Sequence, residues 1–357
     1  MTVRIDKPAG PMRMGKVTRR DLLVAGIAAA IARPAAALAE PLAGRAPGVP
    51  PAGAATARSA LPIRVSTLNH VSFGCADLRR TVAWYEKVLA IPRHAFQDYG
   101  GGQTVLRVSN DPPAYMALSQ RSPESLQVVT ARRPHFCWGI EDFNVHRIFE
   151  GLAEMPALAR SVLREGTTIN GVNFDGPDGA PLQFNPVIAC GGLGFLGEVC
   201  DNAAEAVRRP GDPPPIPVRT LNHVKYHVSD LSSALAWYQR LTDMPVAAWQ
   251  EPQGGPRTAG YEGRPIPVLR VGAGPQHLAL VEGGGPEAFR LHVGLGVEGF
   301  DPDAVMARLA EHGVTAHMRL REGVTKEVLV DAPDGVRLQL QDVSYSGEGG
   351  VLGNEHR

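Results

Sequence analysis

The sequence predicts an α+β chain of two homologous halves, each holding two strand-helix-strand units, and three observations support this. Thr67-Leu68-Asn69-His70-Val71 recurs as Thr220-Leu221-Asn222-His223-Val224, and Ala83-Trp84-Tyr85 as Ala236-Trp237-Tyr238, both displaced by 153 positions. Pro177-Asp178-Gly179 with Leu182-Gln183 recurs as Pro333-Asp334-Gly335 with Leu338-Gln339, displaced by 156. Between these markers the apolar period changes from two to 3.6 and back twice in each half. The halves span 63–200 and 216–346, and 201–215, ending in Pro213-Pro214-Pro215, is a stiff linker.

Each element follows from local pattern. Leu68–Phe73 reads as a strand. Asp77 opens a helix whose Leu78, Val82, Tyr85 and Leu89 share one face. Val105–Val108 and Ala114–Leu118 read as strands, as does His135–Ile140. A helix near Val145–Glu154 follows, then strands around Thr168–Phe174 and Pro181–Asn185, with Pro177-Asp178-Gly179 as the turn into the last. The second half repeats the order: a strand at His223, a helix over Leu231–Leu241, a strand at His292, a helix over Asp303–Glu311 and a strand over Val336–Asp342.

The 36 basic and 36 acidic residues are unevenly placed: seven basic and two acidic ones lie in 1–39, leaving 29 against 34 beyond. A mildly acidic body has no electrostatic reason to bind a nucleic acid. Residues 1–39 carry Thr18-Arg19-Arg20-Asp21-Leu22-Leu23, an apolar Val24–Ala32 and Ala37-Leu38-Ala39 before Glu40, which resembles a twin-arginine export signal with its cleavage site. The expectation is a periplasmic or secreted protein. The run is too short and Ala-rich for a stable membrane span, and no later stretch approaches about 18 uninterrupted apolar residues. Residues 40–62, rich in Ala, Pro and Gly, read as a tether, and 347–357 as a C-terminal tail.

A His near the start of a first strand, a Trp-Tyr on the next helix and a Pro-Asp-Gly turn before the last strand resemble the vicinal oxygen chelate superfamily. That superfamily includes glyoxalase I, bleomycin-resistance proteins and type I extradiol dioxygenases. The resemblance covers nearly all of the chain beyond residue 63 and implies four βαβββ units paired into two half-open barrels, in the dioxygenase-like arrangement. It implies metal ligands at His223, His292 and Gln339 in the second half and at His70, His135 and Gln183 in the first. The spacings are 69 and 47 in the second half, and 65 and 48 in the first. Both halves depart from the pattern, carrying Gln where the dioxygenase-like members carry Glu. Two imidazoles and a carboxylate leave three adjacent positions at iron for a chelating substrate and dioxygen. Gln keeps an oxygen donor but removes a charge, which weakens the hold on a divalent metal and favours an anionic substrate.

Strand alternation places Lys225 and His227 beside His223, Arg290 beside His292, and Arg337 and Gln341 beside Gln339, a basic cavity. Lys225 and His227 are the candidate acid, base or carboxylate partners. The first cavity gathers Ser72, Gly74, Asn185 and Cys137, whose thiol is a soft ligand suited to zinc or copper. No Tyr lies just upstream of Gln339 or Gln183, and His277 and His317 are loose candidates for further site residues. Cys190 and Cys200 could close a loop disulfide, but folding in a reducing compartment before export favours free thiols. The expected activity is that of an Fe(II)- or Mn(II)-dependent oxygenase taking dioxygen and a small catechol, phenol or 2-oxo acid. The alternatives are a non-catalytic small-molecule or metal-binding protein and, less favoured without a carboxylate base, a glyoxalase-like lyase or isomerase. The resemblance leaves a homo-oligomer open.

Overall fold

A computed structural model describes residues 59–97, 102–122, 135–155, 162–163, 171–192, 196–200, 213–251, 264–283 and 291–355. Residues 1–39, expected as an export signal, most of the expected tether and linker, and Arg290 lie outside these. The first half runs β1 (Thr67–Cys75), α1 (Leu78–Leu89), β2 (Arg93–Gln97), β3 (Gln103–Asn110), β4 (Pro113–Gln120), β5 (His135–Ile140), α2 (Val145–Ala153), β6 (Val162–Leu163), β7 (Val172–Asp175) and β8 (Pro181–Pro186). The second runs β9 (Val218–Val228), α3 (Leu231–Leu241), β10 (Val246–Gln250), β11 (Ile266–Arg270), β12 (His277–Glu282), β13 (Leu291–Val297), α4 (Pro302–Glu311), β14 (Ala316–Arg321), β15 (Thr325–Asp331) and β16 (Arg337–Asp342).

The chain has the vicinal-oxygen-chelate α+β fold, with each half one eight-stranded mixed sheet curled into a half-open barrel. The strand orders are β2-β3-β4-β1-β5-β8-β7-β6 and β10-β11-β12-β9-β13-β16-β15-β14. β1 and β5 pair antiparallel at the centre of the first sheet, flanked by parallel β4 and β8; β9, β13, β12 and β16 repeat this. The strands carrying His70, His135 and Gln183, and those carrying His223, His292 and Gln339, are therefore neighbours in the middle of each sheet.

Helices start where an Asp or Asn side chain accepts from an otherwise unpaired amide: Asp77 from Arg80 N, Asn144 from Arg147 N, Asp230 from Ser233 N and Asp301 from Ala304 N. Val82, Tyr85, Val88 and Leu89 of α1, and Leu231, Ala234, Tyr238 and Leu241 of α3, face a core shared by both halves. Phe136 packs on Tyr226 and Trp138 on Tyr238, with ring centroids 5.8 Å apart in each pair.

The Pro-Asp-Gly turns do more than reverse the chain. Asp178 and Asp334 take left-handed backbone (φ 56° and 62°), a conformation Asp tolerates better than most residues. Each carboxylate crosses to the other half at the end of its first strand. Asp334 accepts from Ala76 N (2.9 Å) and Thr81 Oγ1 (2.6 Å), while Asp178 accepts from the backbone and hydroxyl of Ser229.

Two segments differ from expectation. The tether is packed from Ser59, where Ser59 Oγ and Ala60 N donate to Glu154, and Ile63 N donates to Leu241 O (2.9 Å). Gly347–Glu355, expected as a tail, folds against the second sheet. Glu348 is buried and paired with Arg270, and Arg321 Nη2 donates to Glu348 O (2.6 Å). Polar anchors hold this glycine-rich stretch, so no apolar period announced it. No helix among the described residues is long and apolar enough to cross a membrane.

Asp334→Ala is expected to cost about 1.5–3 kcal/mol, the usual worth of hydrogen bonds to a charged acceptor, measured by urea unfolding. Asp334→Asn, which tolerates the same backbone, should lose less.

Candidate functional site

The site begins with a break in strand alternation. Leu221, Val224, Tyr226 and Val228 all face the core, so the step from 221 to 224 is three residues instead of two. The pairing of β9 with β13 shifts register there, and Asn222 is the extra residue of a β-bulge. The bulge turns two consecutive side chains, Asn222 and His223, away from the core. Asn222 Oδ1 lies 2.9 Å from His223 Nδ1, and Asn222 Nδ2 donates to Tyr345 O (2.7 Å). Because the amide nitrogen is committed to Tyr345, the oxygen must accept the Nδ1 proton. His223 Nε2 therefore presents a lone pair.

That lone pair faces His292 Nε2 at 3.1 Å. Two nitrogens about 2.1 Å from one metal at a right angle are about 3.0 Å apart, so the pair has metal-ligand spacing. Burial, then His277, His292, Lys225 and Arg319, hold His223 well below the ordinary imidazole value; burial, then Lys225 and Arg319, do the same to His292. Both are thus neutral, as ligation requires. His277 stacks on His223 (4.5 Å, 14°), and Gly294 lies so close that a Cβ would stand 2.1 Å from the ring.

The third expected ligand is differently engaged. Gln339 Oε1 accepts from Arg319 Nη2 (2.9 Å), and Arg319 Nε donates to buried Glu327 (2.6 Å). Glu327 also accepts from Arg321 Nε (3.1 Å) and Tyr345 Oη (2.8 Å). Burial pushes this carboxyl up, but Arg319 and Arg321 hold it below the usual range. The cavity's carboxylate thus sits on β15, one strand from Gln339. Among the described residues no third His, Cys, Asp or Glu ligand atom joins either His pair within 4.8 Å. A metal would find two imidazoles and an amide oxygen beside an excess of positive charge. The donor set fits a divalent ion whose charge balance is completed by an anion.

Lys225 faces this cavity half-buried, with no hydrogen-bond or ion-pair partner among the described residues; burial and Arg319 push it down to about 7. His227, the other candidate, lies further along β9 with Nδ1 3.2 Å from Gly283 O. Arg337 is at the rim, where its Nε donates to Asp331 (2.6 Å) instead of lining the cavity, and His317 is exposed. Buried Gln339 Nε2, both polar atoms of Gln341, and His277 Nε2 have no hydrogen-bond partner among the described residues, an arrangement ordinarily completed by a ligand or ordered water.

The first half repeats the clamp. The bulge falls at Asn69, whose Oδ1 is 2.9 Å from His70 Nδ1, whose Nδ2 donates to Ala189 O (2.7 Å), and His70 Nε2 faces His135 Nε2 at 3.1 Å. Tyr115 replaces His277 in the stack (4.4 Å, 17°), and Gln183 Nε2 donates to Asn185 Oδ1 (2.7 Å). Cys137 is not a ligand: its thiol lies against Trp138 O, and burial raises its pKa far above the ordinary thiol value. Cys190 and Cys200 form a disulfide, against the expectation of free thiols. The chain returns past Gly197, which accepts from Cys190 N and brings the two Cα atoms within 6.3 Å.

Sequence reasoning passed over Asn222, Arg319, Arg321, Glu327 and Tyr345. Asn222 stood inside the repeated Asn-His pair, and Arg319 with Arg321 at period two. Glu327 and Tyr345 carried no local signal.

Comparison with known proteins bears on the fold. Residues 220–340, within the second half, match the Glyoxalase/Bleomycin resistance protein/Dioxygenase superfamily. No curated protein sequence matches the chain. Solved structures with the same fold include the 2,3-dioxygenase LapB from Pseudomonas sp. KL28 (TM-score 0.56, 14% identity, covering 78% of this chain and 92% of that one). The Mn(II)-bound glyoxalase from Novosphingobium aromaticivorans is similar at TM-score 0.54 and 14% identity, covering 82% and 86%. Homoprotocatechuate 2,3-dioxygenase from Brevibacterium fuscum is similar at TM-score 0.54 and 12% identity, covering 83% and 86%.

Asn222→Ala is expected to weaken divalent-metal binding by roughly 10–100-fold, as loss of such orienting partners does, measured by calorimetry with Mn²⁺. Gly294→Ala should abolish that binding while circular dichroism stays unchanged, because the added methyl displaces the His223 ring.

Proposed function

We propose that the second half is the catalytic centre of an exported metal-dependent oxygenase acting on a small anionic substrate with adjacent oxygens, of the catechol, phenol or 2-oxo-acid class. The observation that carries the reading is the facing pair His223 and His292, with the Nδ1 proton of His223 committed to Asn222. His223, His292 and the carbonyl of Gln339 would hold Fe(II) or Mn(II). When bound, such an ion supplies Lewis-acid polarisation of the substrate oxygens and exchanges electrons with dioxygen.

The chain's own residues do the rest. Lys225 and Arg319 receive the substrate's negative charge. Lys225 Nζ, held near neutrality, takes up or returns a proton at a substrate hydroxyl. His277 and Tyr345 wall the His223 side and exclude water. The similar structures, which include 2,3-dioxygenases and a Mn(II)-bound glyoxalase, support a metal and a small substrate. The residues at 1–39 support export by the twin-arginine route, and the repeated strand order supports a duplicated pair of halves joined by the proline-rich stretch that ends at Pro215.

A second reading, a binding protein without turnover, is favoured by one observation: Arg319 occupies the Gln339 carbonyl. Metal analysis of the purified chain together with oxygen-electrode assays on neutral and carboxylate-bearing catechols separates the two. Stoichiometric iron or manganese, lost in His223→Ala, with substrate-dependent oxygen uptake supports the oxygenase. Bound substrate without oxygen uptake in iron- or manganese-loaded protein would replace it with the binding reading.

Gln339→Glu is expected to raise Mn²⁺ affinity by about tenfold or more in calorimetry without substrate, since it adds the missing charge. Lys225→Met should raise KM for carboxylate-bearing substrates more than for neutral ones.

A further inference from the structure

The segments that close the two cavities are copies of each other, displaced by 156 positions. Ala189-Cys190-Gly191-Gly192 and Gly197 correspond to Tyr345-Ser346-Gly347-Glu348 and Gly353. Their backbone bonds repeat: Cys190 N to Gly197 O (2.9 Å) and Ser346 N to Gly353 O (3.0 Å), Gly192 N to Gly197 O (3.3 Å) and Glu348 N to Gly353 O (3.0 Å). In both, the first carbonyl accepts from the Asn that holds the His, at 2.7 Å each. Closing segment, Asn and His are thus linked in series twice.

The anchors differ. In the second half Glu348 pairs with Arg270 and its carbonyl accepts from Arg321. Arg270 stands opposite His277, the residue stacked on His223, as Arg107 stands opposite Tyr115, stacked on His70. Where Glu348 would pair with Arg107, the first half has Gly192, and Arg107 turns to His94, Asn110 and Cys190 O. The Cys190–Cys200 disulfide takes the place of the ion pair. The second half holds the same backbone shape with Ser346, so the cysteines are not required to form the turn.

We infer that His70 and His135 form a second divalent-metal site, and that the Cys190–Cys200 disulfide sets its affinity by pressing the Ala189 carbonyl onto Asn69. The inference shares with the proposed function only the premise that a facing imidazole pair takes a metal. A dithiol cleaves the disulfide by a two-electron exchange: the reductant becomes a disulfide, and Cys190 and Cys200 become thiols carrying its two protons. Ala189 is then held by backbone bonds alone, Asn69 Nδ2 keeps only its longer bond to Pro113 O (3.3 Å) as a fixed acceptor, and the hold on the His70 ring loosens.

The test is Mn²⁺ titration by calorimetry, a hard ion that thiols bind poorly. It uses the full chain carrying His223→Ala and His292→Ala, oxidised, reduced with dithiol, and with Cys190→Ser plus Cys200→Ser. One Mn²⁺ per chain, lost when His70→Ala is added and bound about tenfold more weakly after reduction and in the Ser variant, is the expected result. In the unaltered chain, hydrogen exchange at the His70 imidazole C2 should quicken on reduction while that of His223 does not. Binding equal in both redox states, with unchanged His70 exchange, overturns the control by the disulfide. No Mn²⁺ in the first half while the second half binds it overturns the site and spares the proposed function; no Mn²⁺ in either half overturns both.

Discussion

The hydrogen bond from His223 Nδ1 to Asn222 is the interaction on which the rest of the site depends. Neighbouring residues on a regular strand point to opposite faces, so an adjacent Asn and His could not touch there. One extra residue in β9 changes that, and the Asn amide becomes a bridge between the imidazole and the backbone of the closing segment. The ring's tautomer and aim are set before any ligand arrives. The bulge also shapes what surrounds it, since the close approach of Gly294 and the stack of His277 both depend on where it places the ring.

Charge gives the second cavity its character. Two cationic side chains, Arg319 and Arg321, share one buried carboxylate, Glu327, which also takes the Tyr345 hydroxyl, and Lys225 stands within the field of all three charges without an ion pair among the described residues. Replacing one member would leave a buried charge uncompensated, a larger loss than the pair's net worth. The same network ties β14, β15 and the closing segment to the wall of the site. Structural support and the electrostatics of the cavity wall are therefore one arrangement here.

The halves are joined by reciprocity as well as by a shared apolar core. Each Pro-Asp-Gly turn sends its carboxylate to the other half, and Gln276 bonds the backbones of Leu68 and Leu221 together. The two copies differ at equivalent positions. Ser72 stands where Lys225 does, Tyr115 where His277 does, and a disulfide where an ion pair does.

The amino-acid sequence by itself determined the duplication, the order of strands and helices, and the strand positions of His70, His135, His223 and His292. These rest on local periodicity and on motifs of a few residues, and α3 ends where the apolar spacing says it should. The resemblance it carries also made Gln339 and Gln183 candidates for the last ligand position, but said nothing of what they touch. Tertiary structure decided that Arg319 holds Gln339, that Glu327 supplies the carboxylate from the next strand, and that Arg337 turns to the rim. It also decided that Tyr345 borders the site and that Glu348, expected in a tail, is buried beside it. Which side chains meet across a curled sheet depends on register, bulges and closure, and these bring together residues whose local sequence carries no trace of the encounter.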